Sequence, residues 1–303
     1  MTTVRRVLLV THTGRATATA SATLLVQRLQ ASGILVFAPA AEAAELSLPG
    51  VLPWDDLDES EQQHVELVVV LGGDGSILRG AELARGGGTP LLGVNLGRVG
   101  FLAEAEEQDL ADVADAIGSR RYTVEERVAV AAQVVVGEDV VDRAWALNEI
   151  SVEKAERQRM LEVGVEVDGL RLSRWGCDGV VCATPTGSTA YAFSAGGPVV
   201  WPEVEAMLLV PLSAHALFAR PLVVAPTSQI SIELLASGAR GVLWADGRRS
   251  VSLPTSAKII MTRSEQPVRL ARLHQTPFTE RLVAKFALPV QGWRNDPGDA
   301  DQS

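Results

Sequence analysis

Short apolar runs alternate with helical segments along the first part of the chain. A short apolar run is typical of a buried strand, and an apolar residue every three or four positions is typical of a helix. On this pattern we expect strands at Arg6–Val10, Ile34–Phe37, Val65–Leu71 and Pro90–Asn95, and helices at Ala16–Gln30, Ser76–Arg85 and Gln108–Ile117. Ser76 is the candidate N-cap of its helix, because its hydroxyl can accept a backbone N–H. Strands that alternate with helices predict a parallel sheet covered on both faces.

The pattern changes after Thr123, where short strand-like runs are separated by turn signals such as Asp168-Gly169 and Asp246-Gly247. The runs lie at Val128–Val136, Ala144–Glu153, Leu161–Val167, Gly179–Ala183, Ser228–Leu235, Gly241–Ala245 and Lys258–Thr262. Short strands at such spacing favour an antiparallel sandwich. The expected fold class is therefore an α/β N-terminal domain with a parallel sheet plus an all-β, sandwich-like C-terminal domain.

The same change of pattern sets the expected domain boundaries. We expect a Rossmann-like α/β domain over residues 1–122 and an all-β domain over residues 123–275. A helical or extended segment, Phe278–Leu288, lies within residues 276–294, which we expect to pack back on the first domain. The polar residues 295–303 are expected to be disordered.

The composition of the 303 residues narrows the function classes. A net charge of −10 argues against a protein that binds nucleic acid over a broad surface, so any phosphate must be held locally. Apolar stretches such as Met207–Ala219 fall short of the ~20 residues of a membrane-spanning helix, so we expect no membrane partner. Cys177 and Cys182 would point to opposite faces of a strand, which disfavours a disulfide. The histidines show no metal-ligand spacing, so we predict no protein-held metal site. Cysteines that form no disulfide indicate a reducing compartment, and we expect a cytoplasmic protein.

Glycines surround an acid directly after the run Val65–Leu71. At the carboxyl end of a parallel strand, Gly72, Gly73 and Gly75 would let a phosphate approach the backbone, and the following helix offers free N–H groups. Asp74 stands among these glycines, and a carboxylate facing a phosphate is unfavourable unless a cation intervenes or the acid accepts a proton from an attacking hydroxyl. Asp74 is therefore a candidate general base, metal partner or both. The alternative is a tight turn in which the Asp side chain bonds its own backbone.

A long segment of small and hydroxylated residues runs from Asp178 to Pro198. Its strand, Gly179–Ala183, leads into Thr, Ser and Gly residues around Tyr191 and Phe193. Hydroxyls and exposed amides suit a polar ligand such as a nucleotide, and Tyr191 offers a ring face for a base. A connecting turn is the alternative, but ordinary connections run only about 4–6 residues.

A third element is Asn148-Glu149, inside the expected strand Ala144–Glu153. Adjacent residues of a strand face opposite ways, so both side chains can serve one site only near a strand end or a bulge. An Asn side chain can read a base edge, and a Glu side chain can hold ribose hydroxyls. On its own, however, such a pair is more typical of ordinary polar surface.

Taken together, these elements resemble the NAD kinase family, in their order and in their approximate spacing. The resemblance covers the chain from about Val65 to Leu288. The motifs that carry it are Gly72-Gly73-Asp74-Gly75, Asn95–Leu102, Asn148-Glu149, Thr184–Ser194, His215–Leu222 and Asp246-Gly247.

The resemblance implies transfer of a phosphoryl group from ATP, or from polyphosphate, to the 2′-hydroxyl of the adenosine ribose of NAD, giving NADP. It implies that Asp74 takes the hydroxyl proton, while the glycines approach the donor phosphates and a divalent metal ion, expected to be Mg²⁺ held mainly by those phosphates. It also implies a homo-oligomer, a dimer or a tetramer, whose NAD site borrows residues from a neighbouring subunit. The residues that it assigns to binding are Gly72, Gly73, Gly75, Arg79, Asn148, Glu149, Arg159, Asp178, Thr189, Ala190, Tyr191, Ala192, Phe193 and Ser194.

Other functions stay open on the sequence alone. Lipid and sugar-phosphate kinases share a GGDG loop, although a lipid kinase should show an apolar acceptor groove. A non-catalytic NAD or NADP sensor could dispense with Asp74. Arg248 follows Asp246-Gly247 where the family often has Gln, so Arg248 is left out of the binding residues. The preferred donor, the acceptance of NADH, the subunit count and feedback by NADP or NADPH also stay open.

Overall fold

The computed structural model of this chain describes residues 4–12, 14, 16–97, 100–156, 159–235, 239–274 and 276–290. Internal contacts divide the chain into a first unit, Met1–Glu125 with Arg269–Ser303, and a second unit, Glu126–Val268. Residues 295–303, for which the sequence predicts disorder, lie outside the described residues. None of the helices in these described ranges combines the length and the apolarity that crossing a bilayer requires.

A parallel sheet flanked by helices forms the first unit. Its strands are β1 (Arg6–Thr11), β2 (Leu35–Ala38), β3 (Val51–Pro53), β4 (Leu67–Leu71), β5 (Leu91–Asn95), β6 (Ala105–Glu106), β7 (Thr123–Arg127) and β20 (Val268–Arg272). Its helices are α1 (Ala16–Ala31), α2 (Ala40–Leu46), α3 (Glu59–Gln62), α4 (Asp74–Arg85), α5 (Leu110–Gly118) and α7 (Phe278–Phe286). The strand order is β3-β2-β1-β4-β5-β20-β7, with β6 beside β5. The pairs from β3 to β20 are parallel, which confirms the predicted α/β sheet.

Opposite faces of this sheet pack against different helices. On one face, Val69 belongs to a buried cluster with Leu25 of α1 and Ile117 of α5. On the other face, α4 lies so close to β4 that a Cβ at Gly80 would come 2.3 Å from Cγ2 of Val70. Only a glycine fits there, because the close-packed interior leaves no room for a Cβ. This close packing of α4 on β4 fixes the position at which the helix begins.

The beginning of α4 differs from the prediction. The helix starts at Asp74 with Gly73 as its N-cap, so the prediction of Ser76 as the N-cap is wrong and Ser76 lies in the first turn. The reason is that the carbonyl of Gly73 already accepts the backbone N–H groups of Ser76 at 2.9 Å and of Ile77 at 3.1 Å. Asp74 is therefore the first helical residue, and its N–H is among those that no intrahelical bond uses.

The register of the strands places the glycine loop at the carboxyl edge of the sheet. Thr11 at the end of β1 pairs with Leu71 at the end of β4, and Leu71 also pairs with Val94 of β5. The strand order reverses between β1 and β4, and open α/β sheets bind ligands beyond the carboxyl ends of their strands at such a reversal. The loop Gly72–Gly75 thus occupies the position at which this kind of sheet binds a ligand.

Two antiparallel sheets, counted over the described residues, build the second unit. Their strands are β8 (Val130–Val136), β9 (Asp139–Ala146), β10 (Glu149–Lys154), β11 (Leu161–Val167), β12 (Leu170–Cys177), β13 (Gly179–Ala183), β14 (Met207–Leu212), β15 (Leu222–Val224), β16 (Ile230–Leu234), β17 (Gly241–Ala245), β18 (Arg249–Leu253) and β19 (Lys258–Arg263), with the short helix α6 (Tyr191–Ser194) between β13 and β14. One sheet has the order β15-β14-β13-β10-β17-β18, and the other has the order β12-β11-β16-β19-β8-β9. Side chains of both sheets, such as Ile150 and Trp175, share one buried cluster. The predicted all-β fold is confirmed.

One predicted strand is interrupted where the sequence places candidate ligand-binding residues. The expected strand Ala144–Glu153 is in fact β9 and β10, which are joined through Leu147 and Asn148 and belong to different sheets. The chain leaves one sheet for the other here because Leu147 and Asn148 donate their backbone N–H groups to the carboxylate of Asp246. Apolar residues on both sides of Asn148-Glu149 make the two strands resemble one strand in the sequence.

The sequence does not predict β12 and β14, the strands that precede and follow β13 in the chain. β14 carries Pro211 as its next-to-last residue, and β12 begins with exposed residues, so neither has the sequence pattern of a regular strand. Cys177 ends β12 and Cys182 lies in β13, and both are buried free thiols. Burial raises the pKa of each thiol to about 12, which makes both unreactive at neutral pH.

Candidate active site

The backbone of a neighbouring loop holds the carboxylate of Asp74. Its Oδ2 accepts the N–H of Phe101 at 3.3 Å, and its Oδ1 accepts the N–H of Leu102 at 3.2 Å. The contact requires a glycine next to it, since a Cβ at Gly100 would lie 2.3 Å from Oδ1 of Asp74. Asp74 is only half-buried. Its carboxylate is therefore fixed in orientation and still accessible to a ligand.

The glycines around Asp74 divide into two kinds. Gly72 is packed, because a Cβ there would lie 2.5 Å from the Oγ of Ser76. Gly73 and Gly75 are exposed, and a Cβ at either would meet nothing within 4 Å. Since the first N–H groups of a helix have no intrahelical partner, the bare backbone at Gly73 and Gly75 is open to an anion.

Arg79 lies one turn further along α4 and is already paired with an acid. Its guanidinium forms an ion pair with Glu42 of α2, whose side chain is 6% exposed. Oε2 of Glu42 also accepts the N–H of Thr11 at 2.8 Å. Arg79, Glu42, Thr11, His12 and Glu45 line a cavity of about 250 Å³. A phosphate at Arg79 would therefore share the guanidinium with Glu42.

The pair Asn148-Glu149 lies where β9 gives way to β10. Both residues are buried, and this strand end is the kind of position at which adjacent side chains can serve one site. Oδ1 of Asp246 accepts the N–H of Asn148 at 2.7 Å, and Oδ2 accepts that of Leu147 at 3.0 Å. The carbonyl of Asn148 accepts the N–H of Thr184 at 2.8 Å. Backbone bonds on both sides thus set the position of Asn148.

The carboxylate of Asp246 is itself held by a cation. Arg249 lies 3.2 Å from Oδ2 of Asp246 and donates to the backbone carbonyl of Trp145 at 2.7 Å. Its guanidinium also stacks 4.4 Å above the centre of the Trp145 ring. Burial raises the pKa of Asp246, while the N–H groups that it accepts and Arg249 act in the opposite direction. The sequence marks Asp246 as a turn residue and as part of a family motif, but not as the partner of Asn148, because that contact joins residues 98 positions apart.

Glu149 is a buried acid with a strongly perturbed pKa. Burial, reinforced by the neighbouring charge of Asp246, raises the pKa of Glu149 to about 8. Its Oε2 is buried without a hydrogen-bond partner among the described residues. A carboxyl group that keeps its proton at neutral pH can donate a hydrogen bond as well as accept one. Glu149 is therefore suited to a ligand hydroxyl.

The hydroxylated segment after β13 folds into a single 3₁₀ turn, Thr186–Thr189, and then into α6. Tyr191 and Phe193 are exposed on α6, whereas Ala192 between them is fully buried in a cluster with Val181. The methyl group of Ala192 thus anchors α6 and leaves both rings outside. The remaining predicted residues of the segment, Thr189, Ala190 and Ser194, are half-buried or exposed.

A cavity of about 530 Å³ in the second unit is lined by Tyr191, Ser194, Asp178 and Lys154, among others. Lys154 forms an ion pair with Asp178 and lowers the pKa of that carboxyl group. The volume is in the range of small-molecule sites, and the lining offers a ring, a hydroxyl and charges of both signs. Arg159 is exposed before β11 and does not line this cavity.

The predicted site residues therefore fall into two groups. The group of the first unit consists of Gly72, Gly73, Asp74, Gly75 and Arg79, all on or before α4. The group of the second unit consists of Asn148, Glu149, Asp178, Thr189, Ala190, Tyr191, Ala192, Phe193 and Ser194, with Arg159 apart from the cavity. Of the motif Asn95–Leu102, residues 98 and 99 lie outside the described residues.

Comparisons with known proteins place this chain in a family. The family model of the ATP-NAD kinase N-terminal domain matches residues 7–122, and that of the ATP-NAD kinase C-terminal domain matches residues 147–273. The chain belongs to the NAD kinase family. The NAD kinase of Thermobifida fusca is 56% identical over 99% of this chain and 94% of its own length. NAD kinase 2 of Streptomyces avermitilis is 57% identical over 97% of this chain and 98% of its own length.

Solved structures of NAD kinases share the fold. An NAD kinase from Archaeoglobus fulgidus in complex with ATP has a TM-score of 0.67 at 28% identity, over 93% of this chain and 98% of that chain. Yeast NADH kinase complexed with NADH has a TM-score of 0.84 at 23% identity, over 95% of this chain and 89% of that chain. The family relationship inferred from the sequence motifs is thereby confirmed, and with it the fold.

The sequence motifs do not reveal that Asp246 and Arg281 hold candidate site residues in place. Asp246 fixes the backbone of Asn148, and Arg281 of α7 donates to the carbonyls of Phe101 and Ala103 in the loop beside Asp74. Both contacts join positions far apart in the chain. Of the two residues only Asp246 lies in a motif, and that motif indicates a turn and the family, not a contact with Asn148.

Proposed function

We propose that this chain transfers the γ-phosphoryl group of ATP to the 2′-hydroxyl of the adenosine ribose of NAD, giving NADP, with Asp74 as the general base. The chain is an NAD⁺ kinase, because both domains of the family match it and its relatives are NAD kinases over nearly their whole length. One observation carries the role of Asp74. Its accessible carboxylate stands at the first residue of α4, oriented by the N–H groups of Phe101 and Leu102.

The proton of the acceptor hydroxyl passes to Asp74 in this reaction. The 2′-oxygen attacks the γ-phosphorus, the bond from the γ-phosphorus to the β,γ-bridging oxygen breaks, and ADP leaves. Each carboxylate oxygen of Asp74 accepts one backbone N–H and keeps a lone pair for the proton. Phosphoryl transfer otherwise requires mainly positioning and stabilisation of charge, and a positioned base contributes ~10²–10⁴-fold.

The donor phosphates have a place on the glycine loop. Gly73 and Gly75 are exposed and leave the backbone bare at the start of α4. The N-terminus of this helix of 12 residues adds a partial positive charge to its free N–H groups. Donor phosphates and the proton acceptor would then lie beside each other, so the base is close to the group that is transferred.

Groups of the second unit are suited to the NAD. Asn148 offers an amide for a base edge, and Glu149, whose pKa is raised to about 8, offers a carboxyl group that can donate to a ribose hydroxyl. The exposed ring of Tyr191 offers a stacking face beside the cavity that Asp178 also lines. These properties support the assignment of this group to the dinucleotide.

The donor would bind as its Mg²⁺ complex. Within the described residues no group of three or more His, Cys, Asp and Glu side chains is arranged to hold a metal ion. Asp74 would be the carboxylate beside the donor phosphates, and carboxylate and phosphate oxygens are ligands that suit Mg²⁺. A divalent ion neutralises phosphate charge, and a chain with a net charge of −10 depends on that neutralisation.

We also infer a cytoplasmic homo-oligomer. Leu170, Leu217 and Phe218 of the second unit are exposed apolar side chains that contact with another subunit would cover. Cys177 and Cys182 are unpaired, in keeping with a reducing compartment. Sedimentation equilibrium of the whole chain, which measures its mass in solution, distinguishes a dimer or a tetramer from a monomer.

A coupled assay of NADP formation tests the proposed function. The purified chain is incubated with NAD and magnesium ATP, and NADP is detected with an NADP-specific dehydrogenase. We expect NADP with ATP and its loss in excess chelator, while parallel reactions with NADH and with polyphosphate define the acceptor and donor ranges. A diacylglycerol and a sugar phosphate serve as rival acceptors. Faster phosphorylation of either, or binding of NAD without product from any donor, would overturn the proposal.

A further inference from the structure

Helix α7 is hydrogen-bonded to residues 101–103, the segment that orients Asp74. Nη1 of Arg281 donates to the carbonyl of Phe101 at 3.2 Å and to that of Ala103 at 2.8 Å, and Nη2 donates to Oε2 of Glu104 at 2.8 Å. The N–H groups of the same segment bind the carboxylate of Asp74. The guanidinium of Arg281 therefore binds the carbonyl groups of the same backbone segment whose N–H groups bind Asp74.

Aromatic contacts reinforce this attachment at both ends of α7. The ring of Phe101 lies 5.9 Å from that of Phe278 at the start of the helix and 5.8 Å from that of Phe286 at its end. Tilted rings at such distances attract each other beyond their area of contact. Phe101, which donates its N–H to Asp74, is thus in contact with both ends of the helix that carries Arg281.

The charge of Arg281 is balanced in the interior. Its side chain is 12% exposed, and that of Glu104 is 1% exposed. Oε2 of Glu104 also accepts Nη1 of Arg272 at 2.9 Å, and Oε1 accepts the backbone N–H groups of Leu273 and His274. A buried carboxylate with so many partners has one arrangement available to it, which limits where the guanidinium can lie.

We propose that Arg281 is a positioning residue for phosphoryl transfer, acting through the backbone of Phe101–Ala103 to keep the carboxylate of Asp74 at the start of α4. This inference rests on the proposed role of Asp74 as the base. Arg281 contributes no proton and touches no substrate in this account. Loss of its two carbonyl contacts lets the N–H groups of the segment shift relative to Asp74, and a misplacement of about 1 Å can cost a reaction about 10²-fold.

A structural role alone makes a different prediction from a positioning role. If Arg281 only stabilises the first unit, its removal lowers the melting temperature and leaves the turnover of the folded fraction unchanged. If Arg281 positions Asp74, kcat falls while the affinity for NAD is kept. Its effect then disappears in a chain that has already lost the carboxylate, because two residues that act as one unit are not additive.

The test is a double-mutant cycle on the whole chain with Arg281→Ala and Asp74→Asn. Arg281→Ala is expected to lower kcat about 10–100-fold with little change in KM for NAD, and to have less than about a twofold effect in the Asp74→Asn background. Arg281→Lys is expected to restore part of kcat, because an ammonium group can bond one carbonyl but lacks the planar fork. Hydrogen exchange of a peptide spanning residues 100–103 should quicken in Arg281→Ala.

Matched controls separate positioning from stability. Val26→Ala removes buried apolar atoms from α1, and Arg120→Ala removes a cation whose partner, Glu66, precedes β4 at the edge opposite Asp74. Both are expected to keep kcat and the slow exchange of residues 100–103, even where the melting temperature falls.

Each outcome of the cycle is decisive. An equal fall in kcat from Arg281→Ala in both backgrounds, or an unchanged kcat in the otherwise native chain, would overturn the inference while leaving Asp74 as the base. An Asp74→Asn chain with native turnover would instead overturn the proposed function. Should Arg281→Ala fail to fold, the same comparison is made with Arg281→Lys.

Discussion

The carboxylate of Asp246 holds the backbone of Asn148, with its Oδ1 2.7 Å from the N–H of that residue. Oδ2 of the same carboxylate accepts the N–H of Leu147 at 3.0 Å and is approached by Arg249 at 3.2 Å. The chain passes between the two sheets of the second unit at this point. Asp246 therefore fixes the backbone where the chain crosses between the sheets, and Asn148 and Glu149 lie at this crossing.

Asp246→Asn should weaken NAD binding more than it slows the chemical step. An Asn side chain offers one carbonyl oxygen and an amide donor, so one of the two backbone N–H groups would meet a donor. Hydrogen bonds to a charged group are worth about 1.5–3 kcal/mol, so KM for NAD should rise about 10–100-fold with a smaller change in kcat. Steady-state kinetics with varied NAD measure this difference.

Asp168→Asn is the matched control for that variant. Asp168 also accepts a backbone N–H, that of Gln229 at 2.8 Å, but it does so in the turn between β11 and β12 of the other sheet. Its replacement should leave KM for NAD unchanged. An equal rise of KM in both variants would show that Asp246 acts on general stability and not on Asn148.

The stability of the chain should depend on pH through Glu149. Its pKa is raised from 4.5 to about 8 in the folded chain, first by burial, so the unfolded chain ionises at lower pH than the folded chain does. The folded chain therefore binds the extra proton, and this contribution to stability is lost as the pH rises from about 4.5 to about 8. Glu149→Gln removes the titration, so its melting temperature should gain on that of the native chain as the pH rises.

Thermal unfolding in the absence of NAD, followed from pH 5 to pH 8, measures this gain. Glu138→Gln in the exposed turn before β9 is the control, and its difference from the native chain should be flat with pH. A constant difference between Glu149→Gln and the native chain over that range would show that Glu149 is already ionised when folded.

Gly100→Ala should reduce turnover through the position of Asp74. A Cβ at Gly100 would lie 2.3 Å from Oδ1 of that carboxylate, so the carboxylate must move. We expect kcat to fall about 10–100-fold with NAD affinity retained. Gly97→Ala is the control in the same loop, since a Cβ there would meet nothing within 4 Å and kcat should hold. Similar kcat values for the two variants would contradict this dependence.

Local patterns were sufficient for most of the fold. The β-branched runs of β1 and β4 and the glycines after β4 led to the parallel sheet and to its carboxyl edge, because burial and turn chemistry act over a few residues. The N-cap of α4 is the exception, because the sequence predicts Ser76 from its hydroxyl alone. In the structure the carbonyl of Gly73 accepts the first N–H groups of the helix, so Gly73 is the N-cap.

The features that the sequence does not predict depend on contacts between residues far apart in the chain. The break between β9 and β10 depends on Asp246, which lies 98 positions from Asn148, and no periodicity carries that distance. The same holds for Arg281, which lies 178 positions from the carbonyl of Ala103. Motifs identify Asp74 and Asn148 as residue types suited to the chemistry. The groups that hold these two residues come close to them only in the folded chain, so the sequence does not predict them.

The most direct test of the account compares turnover with NAD binding in Asp74→Asn. The amide keeps the size of the side chain and one of its two N–H contacts, and it loses the ability to take a proton. We therefore predict a kcat lowered ~10²–10⁴-fold and a Kd for NAD, measured by calorimetry, close to that of the native chain. A kcat close to native, or a Kd that worsens in step with the rate, would contradict the assignment of Asp74 as the base.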